Sequence, residues 1–261
     1  MIVRAALCPS PPLLAVGVSG QTDVLPELRD ACEAAVGWLL AAAPDAVTVV
    51  GPAATTASWP PDSAPDLAMH APALNRRARL AAARPAPDPL SPALPLSLAL
   101  GAQLLDAAGY DGPRVLQSIA ESASPAVCVD LGRDLTADAP LSALLVMGDG
   151  TARRSAAAPG YLDERAEPFD TVVEQAIRDG DVAALAALDP DLARDLLAAG
   201  RPAWQVLAGA LAVTPGPATP GPGPAIPAAV TLGRPQTRIL YSDAPFGVTY
   251  FVVTLNPAGP K

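Results

Sequence analysis

The sequence predicts an α/β fold with a largely parallel central sheet, helices on both faces and a C-terminal β-hairpin. Three observations carry that prediction. Short apolar runs of strand length alternate with longer stretches at helical spacing as far as Met147. Three of the runs stop at Pro9, Gly51 and Gly148, the breakers that bound a buried strand. Near the end of the chain, 237–241 and 248–254 are β-rich and are joined by Ser242-Asp243-Ala244-Pro245-Phe246-Gly247, a hairpin by composition.

Taken in order, residues 2–8 form a short apolar run broken by Arg4, the first strand, which meets the loop Pro9-Ser10-Pro11-Pro12. Thr22 or Asp23 caps a helix carrying Leu25, Leu28, Cys32, Val36, Leu39 and Leu40 on one stripe, ending before Pro44. Residues 47–50 are a second strand stopped by Gly51-Pro52, so the first 51 residues have the length of a parallel crossover unit. The stretch 52–93, rich in Pro, Ala and Asp, reads as a long loop over the sheet edge. Next come a helix over 94–108, a strand over 114–119, a helix over 125–135 and a strand over 141–147. From Pro168 the pattern is helical, with an apolar stripe of Phe169, Val172, Val173, Ala176 and Ile177 that stops at Gly180. Further helices span 181–188, 189–199 and 202–212, the last with Pro202 in its first turn. The Pro/Gly-rich stretch 214–235 is a loop and not a boundary, because the C-terminal segment beyond it is too small to fold alone. Residues 1–261 therefore read as a single domain, with no internal repeat.

Composition narrows the function classes. Hydrophobic residues make up 51% of the 261 but aromatics only 4%, so alanine and aliphatics dominate, which suits many helices. The balance of 17 Lys+Arg against 26 Asp+Glu gives a net charge of −9, which opposes nucleic acid and anionic membrane as partners. Cys8, Cys32 and Cys128 are odd in number and far apart, suggesting buried thiols in a reducing compartment and no disulfide framework or CxxC zinc site. With too few residues before Cys8 for a leader, and with Pro44-Asp45 interrupting the most hydrophobic stretch, a cytoplasmic protein is expected.

Polar chemistry concentrates in 141–170. The apolar run Leu144, Leu145, Val146, Met147 ends at Gly148-Asp149-Gly150, and Arg153, Arg154, Tyr161, Asp163, Glu164, Arg165 and Asp170 come soon after it. Ligands collect beyond the carboxyl ends of such strands. The GDG turn is not a dinucleotide fingerprint, since the third glycine of GxGxxG would fall at Arg153 and Asp149 would face the phosphate. Two readings stay open. Asp149, Arg153, Arg154, Asp163 and Arg165 form an ion-pair network pinning a long loop, or the adjacent arginines hold a carboxylate or phosphate by bidentate hydrogen bonds. The candidate ligand-binding set is Ser10, Asp149, Arg153, Arg154, Tyr161, Asp163 and Arg165, expected to converge at the mouth of one crevice near Ser10. The lone His70 reads as a surface residue or, alternatively, as a single metal ligand or base. No GxSxG occurs, so Ser10 is not a hydrolase nucleophile by motif, and Cys8 is either an inert buried thiol or a nucleophile.

Five stretches, in this order, resemble one family: CPSPPLL at 8–14, VVGPA at 49–53, MGDGTARRS at 147–155, APGYLDERAEPFD at 158–170 and APFGVTYFVV at 244–253. The family is that of the subunit-B-like proteins of class III extradiol ring-cleavage dioxygenases, the LigB superfamily, which also includes Memo-like proteins. The resemblance implies an α/β scaffold and, in active members, one Fe(II) on two histidines and a glutamate with a further histidine as acid/base. Carried onto this chain, the first ligand falls on Ser10, the second near Ala53 and Ala54, the acid/base on Ala152, and the third ligand near Ala198-Ala199-Gly200. A site that needs a face of imidazole and carboxylate cannot be assembled from these. The resemblance thus implies a member with a degenerate metal site and no resident cofactor, binding a small carboxylate or phosphate, a protein partner or a second copy. An oxidoreductase of the dioxygenase type, with Fe(II) on an unrecognised ligand set, is the alternative.

Overall fold

The computed structural model describes residues 2–15, 24–61, 63, 94–137, 141–212 and 234–257. His70 and most of the two expected loops lie outside them. Among the described residues seven strands form one sheet, running from 57–59 at one edge through 114–120, 46–53, 142–147, 2–8 and 250–256 to 236–243 at the other. β1 (Ile2–Cys8), β2 (Ala46–Ala53), β4 (Arg114–Ala120) and β5 (Ser142–Met147) are mutually parallel and central. The edges are antiparallel: β3 (Ala57–Trp59) on β4, and the hairpin β6 (Gln236–Asp243) and β7 (Tyr250–Asn256), with β7 beside β1.

The period of two sorts the strand side chains onto two cores. Ala6, Cys8, Val47, Val49, Leu145, Met147 and Val252 face α1 (Pro26–Leu40) and α2 (Leu96–Ala107). Leu7, Val50, Leu144, Val146, Phe251 and Val253 face the other layer. That layer holds α3 (Pro125–Ala137), α4 (Ala166–Arg178), α5 (Val182–Ala186), α6 (Pro190–Asp195) and α7 (Arg201–Leu211). Both faces are therefore covered, as a parallel sheet requires. No helix among the described residues is long and apolar enough to cross a membrane.

Several boundaries differ from expectation. The second strand continues through Gly51-Pro52 to Ala53, because Gly51 opposite Ser118 has no side chain: a Cβ there would lie 2.5 Å from Ser97. The stretch expected as loop from 52 holds β3, fastened by the buried Ser118 hydroxyl, which accepts from the Ala57 N–H at 3.1 Å and the Trp59 indole at 3.0 Å. α1 starts at Pro26 with Leu25 before it and no side-chain cap from that residue; Thr22 and Asp23, the expected caps, lie outside the described residues. α4 starts two residues before Pro168, which falls in the first turn, where a missing N–H costs nothing. The helix expected over 189–199 stops at Asp195, since Leu197 takes a left-handed φ of 56° and the chain turns into α7.

Candidate functional site

β1 and β5 end side by side, with Cys8 opposite Met147, and β2 ends on the other flank of β5. The Gly148 N–H continues the ladder by donating to the Cys8 carbonyl at 2.9 Å. The chain beyond β5 then crosses the end of β1, and the Ser10 N–H donates to Asp149 Oδ1 at 2.6 Å. Glycine is required for this crossing. A Cβ on Gly148 would lie 2.5 Å from Gly200 Cα, and the Gly200 N–H donates to the Asp149 carbonyl at 2.8 Å, so the turn and the entry to α7 meet backbone to backbone.

Asp149 is half-buried, and burial pushes its carboxyl up to about 6, against the lowering by the Ser10 N–H. Beneath it, burial raises the Tyr250 phenol, with the Asp149 charge adding to the effect. Cys8 is fully buried, and its hydrogen bond to Cys32 is the largest cause raising the Cys32 thiol, ahead of burial. These are inert, packed thiols.

Past Asp149 the loop pairs with the chain entering β7: Gly150 N–H to Thr249 O at 2.8 Å, Thr249 N–H to Thr151 O at 2.9 Å, and Arg154 N–H to Gly247 O at 3.0 Å. This pairing turns Thr151 and Thr249 inward onto Asp170 of α4, which is 2% exposed. Both hydroxyls donate to Asp170 Oδ2 at 2.6 Å, the Thr151 N–H donates to Oδ1 at 3.1 Å, and Arg154 stands 3.5 Å from Oδ2. Arg154 also meets Glu167 at 3.3 Å. Its guanidinium belongs to a structural network.

The expected set is thus distributed over separate contacts. Ser10 and Asp149 touch. Arg165 grips Asp163 through two hydrogen bonds at 3.0 and 2.9 Å and lies 3.7 Å from Asp195, an outward-facing string in which Arg165 holds the Asp163 carboxyl well below the usual range. Tyr161 is 75% exposed with φ 58°. Arg153 differs from its neighbours: its Nε is buried without an acceptor, and no hydrogen bond or ion pair of its guanidinium occurs among the described residues. Sequence reasoning left Thr151, Thr249 and Leu197 out of the candidate set and reached Gly200 only through the resemblance, as part of the third-ligand neighbourhood. Asp170 stood in the polar stretch, but its hydroxyl partners lie 19 and 79 positions away and no local pattern announces them.

The positions that the resemblance gives to the iron ligands and the acid/base do not fit those roles. Ser10 offers a hydroxyl, Ala53 and Ala54 only methyl groups, and Ala198-Ala199-Gly200 neither acid nor imidazole; at the acid/base position Ala152 has only backbone, its N–H donating to Leu196 O at 3.1 Å and its carbonyl accepting from Gly160 at 3.0 Å. Among the described residues no three His, Cys, Asp or Glu side chains gather as a metal would need.

A concavity of about 690 Å³ lies between α4, α5 and α6, lined by Phe169, Val172, Leu188 and Leu192 among others.

No protein-family model matches the chain, and no curated protein is significantly similar to it in sequence. Among solved structures, the crystal structure of an uncharacterized protein from Escherichia coli K12 is similar, with a TM-score of 0.50 and 17% identity over 97% of this chain and 99% of that one. At that identity the likeness concerns the fold alone, and the fold it supports is the α/β sheet described above.

Proposed function

We propose that this chain is a non-catalytic member of the extradiol dioxygenase-like (LigB) proteins that binds a small anion, with Arg153 as the anion-binding group. The five family-like stretches support the scaffold, and Ser10, Ala53 and Ala152 in place of imidazoles argue against iron chemistry. The observation that carries the binding role is Arg153, whose buried Nε has no acceptor. Leaving a buried donor unmatched costs about 1–3 kcal/mol, so an oxygen delivered by a ligand is favoured there. A planar guanidinium presents paired N–H groups in the spacing of carboxylate or phosphate oxygens. Arg154 and Arg165, by contrast, already spend their donors on Asp170, Glu167 and Asp163.

The test is a thermal-shift titration with acetate, sulfate and phosphate on wild type and on Arg153→Met, which keeps the apolar stem. The expected result is a midpoint that rises with anion concentration in wild type and stays flat in the variant, the stabilisation approaching about 2.7 kcal/mol at a hundredfold excess over Kd. No differential shift for any anion would remove the proposal. Ring cleavage of a catechol after anaerobic Fe(II) titration would replace it with the dioxygenase reading.

A further inference from the structure

We infer that the anion taken at Arg153 is a carboxylate carried on an apolar body, so that the site selects amphiphilic carboxylates over bare inorganic anions; this rests on the reading of Arg153 above. Gly160 is the pivot. A Cβ at Gly160 would lie 2.6 Å from Leu197 Cδ1 and 2.7 Å from Arg153 Cγ, so the leucine and the arginine stem close over a residue that has no side chain. Leu197 is 44% exposed, and Tyr161, the residue after Gly160, is 75% exposed. Both take left-handed backbone, φ 56° and 58°, which bulky residues rarely adopt. The surrounding hydrogen bonds impose it: Ala152 N–H to Leu196 O at 3.1 Å, Leu197 N–H to Arg194 O at 3.1 Å, and Tyr161 N–H to Ala158 O at 3.0 Å. Strained residues held by their surroundings gather at ligand clamps, and here they leave a leucine in water beside the Arg153 stem and a tyrosine in water on the next residue of the loop.

The charge of the head group is set by the neighbours. Arg153 is the one uncommitted guanidinium of this loop among the described residues, and the Asp163 carboxylate lies within its field. Asp163 offsets part of the Arg153 charge, so the second charge of a phosphate gains little attraction while its desolvation costs more, and a monoanionic carboxylate suits the site better.

The experiment is calorimetric titration of the full chain with octanoate and with acetate. Octanoate is expected to bind at least about tenfold more tightly, the effect of burying roughly two methylenes. Arg153→Met should abolish both. Leu197→Asn and Tyr161→Asn, which suit left-handed backbone and so keep the loop folded, should retain acetate binding and bring octanoate down to the same affinity. Equal affinities in wild type, both dependent on Arg153, would overturn the inference and leave the anion reading standing. Binding of neither would remove both. An octanoate preference that survives in Arg153→Met or in both asparagine variants would place the apolar contact elsewhere and overturn the inference alone.

Discussion

The backbone N–H of Ser10 donates to Oδ1 of Asp149 at 2.6 Å, tying the turn after β1 to the turn after β5 across the end of the sheet. The bond stabilises a carboxylate that burial otherwise disfavours, and burial wins: the Asp149 carboxyl is pushed up to about 6 from 3.8.

That imbalance has a sign. A carboxyl whose folded pKa lies above its unfolded one binds its proton more tightly in the native state, so its contribution to stability falls as pH rises from about 4 to about 6. The difference in proton affinity corresponds to at most about 3 kcal/mol, less to the extent that solvent reaches the carboxyl. Asp149→Asn keeps an acceptor for the Ser10 N–H and removes the charge. Urea unfolding at intervals from pH 4 to pH 7 should show the asparagine variant gaining on wild type through this window. A gap between the two that does not change with pH would contradict the burial of this group.

Much of this architecture was legible because it comes from periodicity. Leu144 and Val146 on one face and Leu145 and Met147 on the other are a buried strand in any context, and Gly148-Asp149-Gly150 can only be its end. The Ser10 to Asp149 contact was legible as a neighbourhood, since both residues lie just past parallel strands. The fate of each arginine was not. Arg153 and Arg154 are adjacent and chemically identical, and what separates them is the pairing of 150–154 with 247–249, which turns Arg154 toward Asp170 and leaves Arg153 beside Gly160. β3 was hidden for a similar reason: three residues carry no period, and the strand exists because Ser118 on β4 holds it.

Asp170 gives the second prediction. It gathers two hydroxyls, one N–H and Arg154 in a buried position, so Asp170→Ala strands all of these at once and should cost about 3–5 kcal/mol. Thr249→Val removes one hydroxyl and leaves the carboxylate with its remaining donors, for a loss of about 0.5–1.5 kcal/mol. Combined, the two changes should cost less than their sum, because the alanine has already removed the threonine's partner. Denaturant midpoints of the three variants would check this, and strict additivity would show that the threonine acts through something other than Asp170.

The third prediction concerns glycines that look interchangeable in sequence and differ in surroundings. A methyl on Gly148 would sit 2.5 Å from Gly200 Cα, and one on Gly200 would sit 2.4 Å from the Trp204 ring and 2.8 Å from the Asp149 carbonyl. Neither neighbour can swing away: one is backbone, and Trp204 is fully buried edge-on against Phe251. Gly148→Ala and Gly200→Ala should therefore force β5 and α7 apart and each cost at least about 1–3 kcal/mol, the range of overpacked cores. Both press on one contact, so the double variant should cost less than the two losses added. Gly37 lies within α1 with nothing within 4 Å of its would-be methyl. There the helix entropy term acts alone, and Gly37→Ala should stabilise by about 0.5–1 kcal/mol. Urea midpoints at constant m-value would separate the cases, because a shift of midpoint without a change of slope is a change of stability and not of the unfolded ensemble. If Gly148→Ala unfolds at the wild-type midpoint, the close approach of the β5 turn to the entry of α7 is wrong, and with it the placement of Asp149 beside Ser10.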